Sequence, residues 1–182
     1  MADVSDVLEA MYRGDPAAAE RLAQGRTLDL FEAAALGRVE RIEQLVKESP
    51  GCVAAFASDG FTALQLAAFF GHTAAAKSLL AHGADVNAAS RNPLQIHPLH
   101  SAAARGAPGL IVLLLDAGAD PNARQAGGYT ALQSRAAHGD VEMTKLLLQR
   151  GADPKSRSDD GRTALDMARE KGHLELEPLL KT

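Results

Sequence analysis

The chain contains six histidines and one cysteine, and the placing of these side chains decides which reactions it has the groups to perform. Metal binding needs several such ligands converging at short spacing, and nucleophilic catalysis needs a thiol or hydroxyl beside a base. Neither pattern is present. His72 and His173 each follow a glycine, His82 ends an apolar run, and His100 is the fourth residue of HPLH, whose counterparts read TALQ and TALD. These are recurring places in a repeated phrase. His97 and His138 have no such place, yet no cysteine or third histidine joins them at ligand spacing. Cys52 lacks a histidine at any spacing that marks an activated thiolate, and reads as an inert apolar residue. No glycine-rich phosphate loop follows an expected strand, because the glycines recur as punctuation. No catalytic residue, cofactor or metal ligand is assigned, and the chain reads as a non-enzyme.

What remains is the chemistry of recognition. Four of the five phenylalanines, Phe56, Phe61, Phe69 and Phe70, lie within one short stretch at positions a helical scaffold does not require. Aromatic side chains bring large contact area at low entropic cost and dominate many interface hot spots. A cationic rim is expected from Arg105, Arg124, Arg157, Arg162 and Lys171, interrupted by Asp159 and Asp160. Ser58, Asp59, Arg91, Leu94, Ile96, Tyr129 and His138 complete the candidate partner-binding set.

These residues are positioned by an internal repeat. Gly37, Gly71, Gly106, Gly139 and Gly172 step by 34, 35, 33 and 33 residues, and Gly83-Ala84-Asp85, Gly118-Ala119-Asp120 and Gly151-Ala152-Asp153 close three copies. Within one copy, Thr62 is set to cap a short helix whose inner face is Leu64, Ala67 and Ala68. Gly71 lets the backbone reverse, Leu79 and Leu80 carry the apolar contact of a second helix, and Gly83 stops it. One copy cannot bury its own apolar face, so the copies must stack. Before them, two short helices are expected between Ser5 and Gln24, joined at Gly14-Asp15-Pro16, with Asp15 as cap and Pro16 in the first helical position. The expected division is an N-terminal helical cap over 1–27 and one array over 28–182, its units starting near 28, 62, 97, 130 and 163. At the far end, Arg169, Glu170 and Lys171 put charge where inner copies carry small residues, so the array is expected to stop there.

Composition agrees with stacked small-residue helices: 46% of residues are hydrophobic, 4% are aromatic, and tryptophan is absent. A net charge of −4 provides no basic field, so nucleic acid is not expected as a general partner. The start MADVSDV is acidic where a secretory leader would be basic, no apolar run reaches the length of a membrane span, and one cysteine precludes an intrachain disulfide. A monomer in the reducing cytoplasm, with no membrane partner, is the expectation.

The phrases TALQLAAFFGH…LLAHGADVNA (62–88), HPLHSAAARGA…LLLDAGADPNA (97–123), TALQSRAAHGD…LLLQRGADPKS (130–156) and TALDMAREKGH (163–173) resemble ankyrin repeats. The resemblance runs from about Leu28 to the C-terminus and leaves the cap outside. It implies an all-α solenoid of about five helix pairs with β-hairpin fingers, a partner protein bound by finger tips and inner helices, and a histidine at the place of His100 that links successive repeats. Gln65, Gln133 and Asp166 replace that histidine elsewhere.

Two departures stand out. Ser90 to Ile96 replaces the usual finger, with Gln95 where Gly60, Gly128 and Gly161 stand, so a Pro-containing turn is expected. It reads either as a tolerated insertion or as a finger that reaches a partner with Leu94 and Ile96. Arg135 replaces the alanine of Ala67 and Ala102, and its charged end is expected to reach water. Two functions follow. The first is an interaction module, adaptor or inhibitor, that grips another protein in a concave groove. The second is a small-ligand or metal-binding protein with a pocket around Phe61, Phe70, His97 and His138.

Overall fold

The computed structural model describes residues 4–181; the remainder of the expected cap, 1–3, and Thr182 lie outside the described residues. Six helix pairs follow one another. They are α1 (Asp6–Tyr12) with α2 (Pro16–Ala23), α3 (Leu30–Ala35) with α4 (Val39–Glu48), α5 (Ala63–Phe70) with α6 (Thr73–Ala81), α7 (Pro98–Arg105) with α8 (Pro108–Asp116), α9 (Ala131–Ala137) with α10 (Val141–Gln149), and α11 (Ala164–Glu170) with α12 (Glu177–Leu180), the last pair joined through a 3-10 turn. Helices α3, α5, α7, α9 and α11 pack each on the next as an inner row, α4, α6 and α8 form an outer row, and α1 packs on α3.

Local chemistry sets each helix length. Thr62 Oγ1 accepts from Gln65 N–H while Gln65 Oε1 accepts from Thr62 N–H, a reciprocal box that recurs at Thr130/Gln133 and Thr163/Asp166; at His97/His100 only the half in which His100 Nδ1 accepts from His97 N–H is made. Asp15 caps α2 with Pro16 in its first position, as the sequence predicts. In the first unit the cap is Asp29, paired with Glu32, so α3 begins one residue later than alignment by Gly37 predicts. At the other end, Gly71 adopts φ +84°, and the amide that follows it, His72 N–H, bonds back to the Ala67 carbonyl at 2.8 Å. Arg38, Asp140 and His173 make the same bond to Ala33, Arg135 and Ala168.

Between successive inner helices the seam is made of Ala33, Ala34, Ala67, Ala68, Ala102, Ala103, Ala136 and Ala168, all fully buried. Such small side chains let backbones approach closely. Buried Leu64, Leu79, Leu99, Leu110, Leu114, Leu132 and Leu147 supply the larger apolar contribution, about 1.5–3 kcal/mol each.

Side chains also tie the units together. Gln65 Nε2 donates to the Ala88 carbonyl at 2.9 Å and to Ile96, and Gln133 Nε2 repeats this with Ser156 and Arg162. His100 Nε2 donates to the Tyr129 carbonyl at 3.1 Å. Glutamine therefore does the work of the histidine here. On the opposite loops, Asn87 donates to the Gly118 carbonyl and accepts from Asp120 N–H, and Asn122 does the same with Gly151 and Asp153.

The fingers differ from the β-hairpins that the resemblance implied. Among the described residues the paired backbone there is an isolated bridge, Phe56 to Thr62. Each finger is a tight turn closed by one bond, Ala57 N–H to Phe61, Ser90 to Ile96, Gln125 to Tyr129 and Ser158 to Arg162. Neighbouring fingers bond in series, Arg91 N–H to the Gly60 carbonyl, Ala126 to Leu94 and Asp159 to Gly127. The third finger holds two extra residues inside its closing bond, turns at Asn92-Pro93-Leu94-Gln95, and places Gln95 at φ +49°.

Arg135 corrects a second expectation. Its side chain is only 6% exposed, so the guanidinium is largely withdrawn from water instead of extending into it. Asp140 is 3.9 Å away, Ser134 Oγ and His138 Nδ1 each stand at 3.5 Å, and Nε has no hydrogen-bond partner. Burial lowers its pKa.

Candidate partner-binding groove

The inner helices and fingers face a shared groove whose character changes along its length. At the finger bases the row is Phe61, Ile96, Tyr129 and Arg162, and near the helix ends it is Phe69, Ala104, Ala137 and Glu170. Both rows run from apolar to charged because the same scaffold position carries a different side chain in each unit.

In the N-terminal half, Phe61, Gln65, Leu66 and Phe69 from the second unit face Leu94, Ile96 and Ser101 from the third around a depression of about 220 Å³. Tyr12, from the last turn of α1, forms part of its wall. A second depression, about 540 Å³, lies on the other side of Phe69 and is lined by Met11, Tyr12, Phe70, His72 and Arg105. Phe69 meets Phe70 edge-on at 5.1 Å, and Tyr12 tilts over Phe70 at 5.7 Å. The Tyr12 hydroxyl donates to Asp59 at 2.7 Å, and Asp59 also accepts from Phe61 N–H. Burial, then the Asp59 carboxylate, raises the Tyr12 pKa, keeping the phenol protonated. Phe56 is half-buried under the Arg91 guanidinium, 3.9 Å from its ring centre. Ser58 is exposed on the same finger as Asp59.

In the C-terminal half two of the arginines are neutralised by this chain's own carboxylates, whereas Lys171 lines a depression there with no ion pair among the described residues. Arg124 pairs with Asp159 at 2.8 Å, while Arg162 engages Asp160, Glu170 and the Tyr129 hydroxyl together. Arg162 depresses the Asp160 pKa, aided by the Ser158 hydroxyl. Arg157 donates to the Gly161 carbonyl. The two acidic residues that interrupt the cationic set, Asp159 and Asp160 of the last finger, are the ones that pair with Arg124 and Arg162. Arg105, by contrast, is exposed and has no carboxylate within ion-pairing reach among the described residues; its stem lies against Gly71.

The four residues expected around one small-ligand pocket are not gathered. Phe61 lines the smaller depression, Phe70 the larger, and His97 and His138 line neither. His97 begins α7 and His138 ends α9, and each Nδ1 is bonded to a backbone carbonyl, Asn87 and Ser134 respectively. Among the described residues no three His, Cys, Asp or Glu side chains are grouped to hold a metal ion. Cys52 lies half-buried beside the Leu45 carbonyl, and burial raises its pKa away from thiolate. Tyr12, Met11, Leu66 and Ser101 are groove residues that sequence reasoning missed; the signal for Tyr12 was an aromatic one place beyond the Val4, Val7, Leu8, Met11 stripe.

A family model described as "Ankyrin repeats (3 copies)" matches residues 7–96 and 99–181. The chain is an ankyrin-repeat protein. The match begins at Val7, so it takes in α1 and α2, which the resemblance read from sequence left outside. Their packing on α3 fits that reach. Ankyrin repeats are in general protein-interaction modules, built from helical pairs such as these. None of the curated proteins compared matches the chain. No helix among the described residues is long and apolar enough to cross a membrane.

Proposed function

We propose that the protein is a non-enzymatic interaction module, an adaptor or inhibitor, that holds a partner protein against the N-terminal half of its groove. One observation carries this reading. Among the described residues the large hydrophobic side chains exposed to solvent are Tyr12, Leu22, Phe69, Leu94 and Leu174, and three of these five line the same depression. Scattered exposed apolar residues are ordinary, whereas a cluster around a concavity marks an interaction site. The long third finger belongs to this site through Leu94 and Ile96. On this reading the protein works as a monomer in the cytoplasm, which its single free cysteine supports.

The test compares proteins captured from native lysate by the wild type, by a Phe69→Asp/Leu94→Asp variant and by Lys77→Glu on the outer helix α6. A partner lost from the groove variant and kept by the outer variant is the expected result. Partners retained equally by all three would refute the groove reading.

A further inference from the structure

We infer that the occupant of this groove is a segment carrying one bulky apolar side chain with a carboxylate beside it, and this rests on the groove reading just proposed. Size selects the first part. A volume of about 220 Å³ falls below the roughly 300–1,000 Å³ of drug-sized pockets and suits one side chain entering between Phe61, Phe69, Leu94 and Ile96. Aromatic and aliphatic anchors seated in such cups dominate many interfaces.

Charge selects the second. Arg105 stands across Phe69 from the cup, exposed and without a carboxylate in ion-pairing reach among the described residues. The acidic groups nearby are engaged: Asp59 accepts from Tyr12 and Phe61, and Glu20 pairs with Arg38. His72 shares the larger depression with Arg105, but it bonds the Ala35 carbonyl at 2.8 Å and is held neutral by burial. Arg105 is therefore a cation beside the cup left without a carboxylate among the described residues, and its planar guanidinium fits a carboxylate through two parallel bonds. Asp59 stands beside the cup and disfavours a second negative charge there, so the carboxylate must follow the anchor on the Arg105 side of Phe69. In the C-terminal half Arg124 and Arg162 are already paired, and Lys171 is a flexible ammonium beside Glu170, not a planar fork next to an apolar cup.

A phage-displayed library of random dodecapeptides, selected on the purified protein, tests this. Peptides that combine Leu, Ile, Met or Phe with a neighbouring Asp or Glu are expected, weakened about tenfold or more by Phe69→Ala and by Leu94→Asp. On Arg105→Glu the selection is expected to turn to Lys or Arg beside the same anchor. All three side chains are exposed, so the variants retain the fold, which circular dichroism verifies. Peptides that depend on Phe69 and Leu94 but ignore Arg105→Glu would overturn this inference and leave the groove reading standing. Binding indifferent to all three changes would overturn both. Failure to enrich any peptide would exclude a linear segment as occupant and so overturn the inference alone.

Discussion

The Tyr12 hydroxyl, on the first helix pair, donates a 2.7 Å hydrogen bond to Asp59 on the finger of the second unit. This contact skips a unit and makes the N-terminal pair a wall of the groove. Tyr12→Phe is expected to lower stability by about 0.5–1.5 kcal/mol, the net worth of one such bond. Tyr12→Ala, which also removes the ring from Phe70, should lower it further. Urea denaturation of both variants checks the order.

Arg135 is expected to be a liability. Its guanidinium is buried with an unsatisfied Nε and a distant carboxylate, a weakly compensated charge. Arg135→Met keeps the volume, leaves Asp140 to cap α10, and should raise stability by about 1–3 kcal/mol. Thermal unfolding would register this as a rise in Tm of a few degrees; a fall would show that Asp140 or His138 compensates the charge more fully than the distances indicate.

His100 gives the fold a pH dependence. Burial pushes its pKa down to about 4, because its Nδ1 must stay unprotonated to accept from His97 N–H. An unfolded chain takes up this proton near 6.5, so the folded state is favoured fully above that pH and loses the contribution as pH falls toward 4. The loss is on the order of 3 kcal/mol at most. His100→Gln should fold, since Gln65 and Gln133 fill the same place, and should flatten stability between those two pH values relative to wild type. Identical pH profiles for the two proteins would count against the assignment.

Gly60 and Gln95 occupy equivalent finger positions, at φ +85° and +49°. A side chain at Gly60 would meet the Arg91 carbonyl carbon at 2.9 Å, so Gly60→Ala should destabilise by about 1–3 kcal/mol. Gln95→Gly should do the reverse by up to about 1 kcal/mol, as it relieves a left-handed non-glycine residue. Chemical denaturation of the pair measures both signs.

Features governed by nearby residues were legible in the sequence. Thr62 caps α5 and Gly71 ends it because each acts within one turn of its own position. What escaped depends on residues brought together by the stack. Tyr12 and Asp59 are 47 positions apart. Arg124 and Asp159 are separated by 35, about one period, so laying finger upon finger would have revealed their pairing. The Arg135 error had another source. The length of an arginine side chain suggests that its charge reaches water, but the closely set inner helices hold it almost wholly within the stack. The family likeness implies β-hairpin fingers, whereas each finger here closes with one backbone bond of its own and a further single bond links it to its neighbour.

Arg135 also bears on the shape of the whole array. It is the long residue in a rank otherwise filled by Ala67, Ala102 and Ala168, and closely packed interiors transmit strain instead of absorbing it. Its guanidinium reaches the backbone at Gly106 of the preceding unit, so it is expected to hold α7 and α9 apart as a wedge. Shaving it to alanine should tighten the arc, which solution scattering would record as a smaller radius of gyration. A buried residue between two units would then govern how wide the groove stands open.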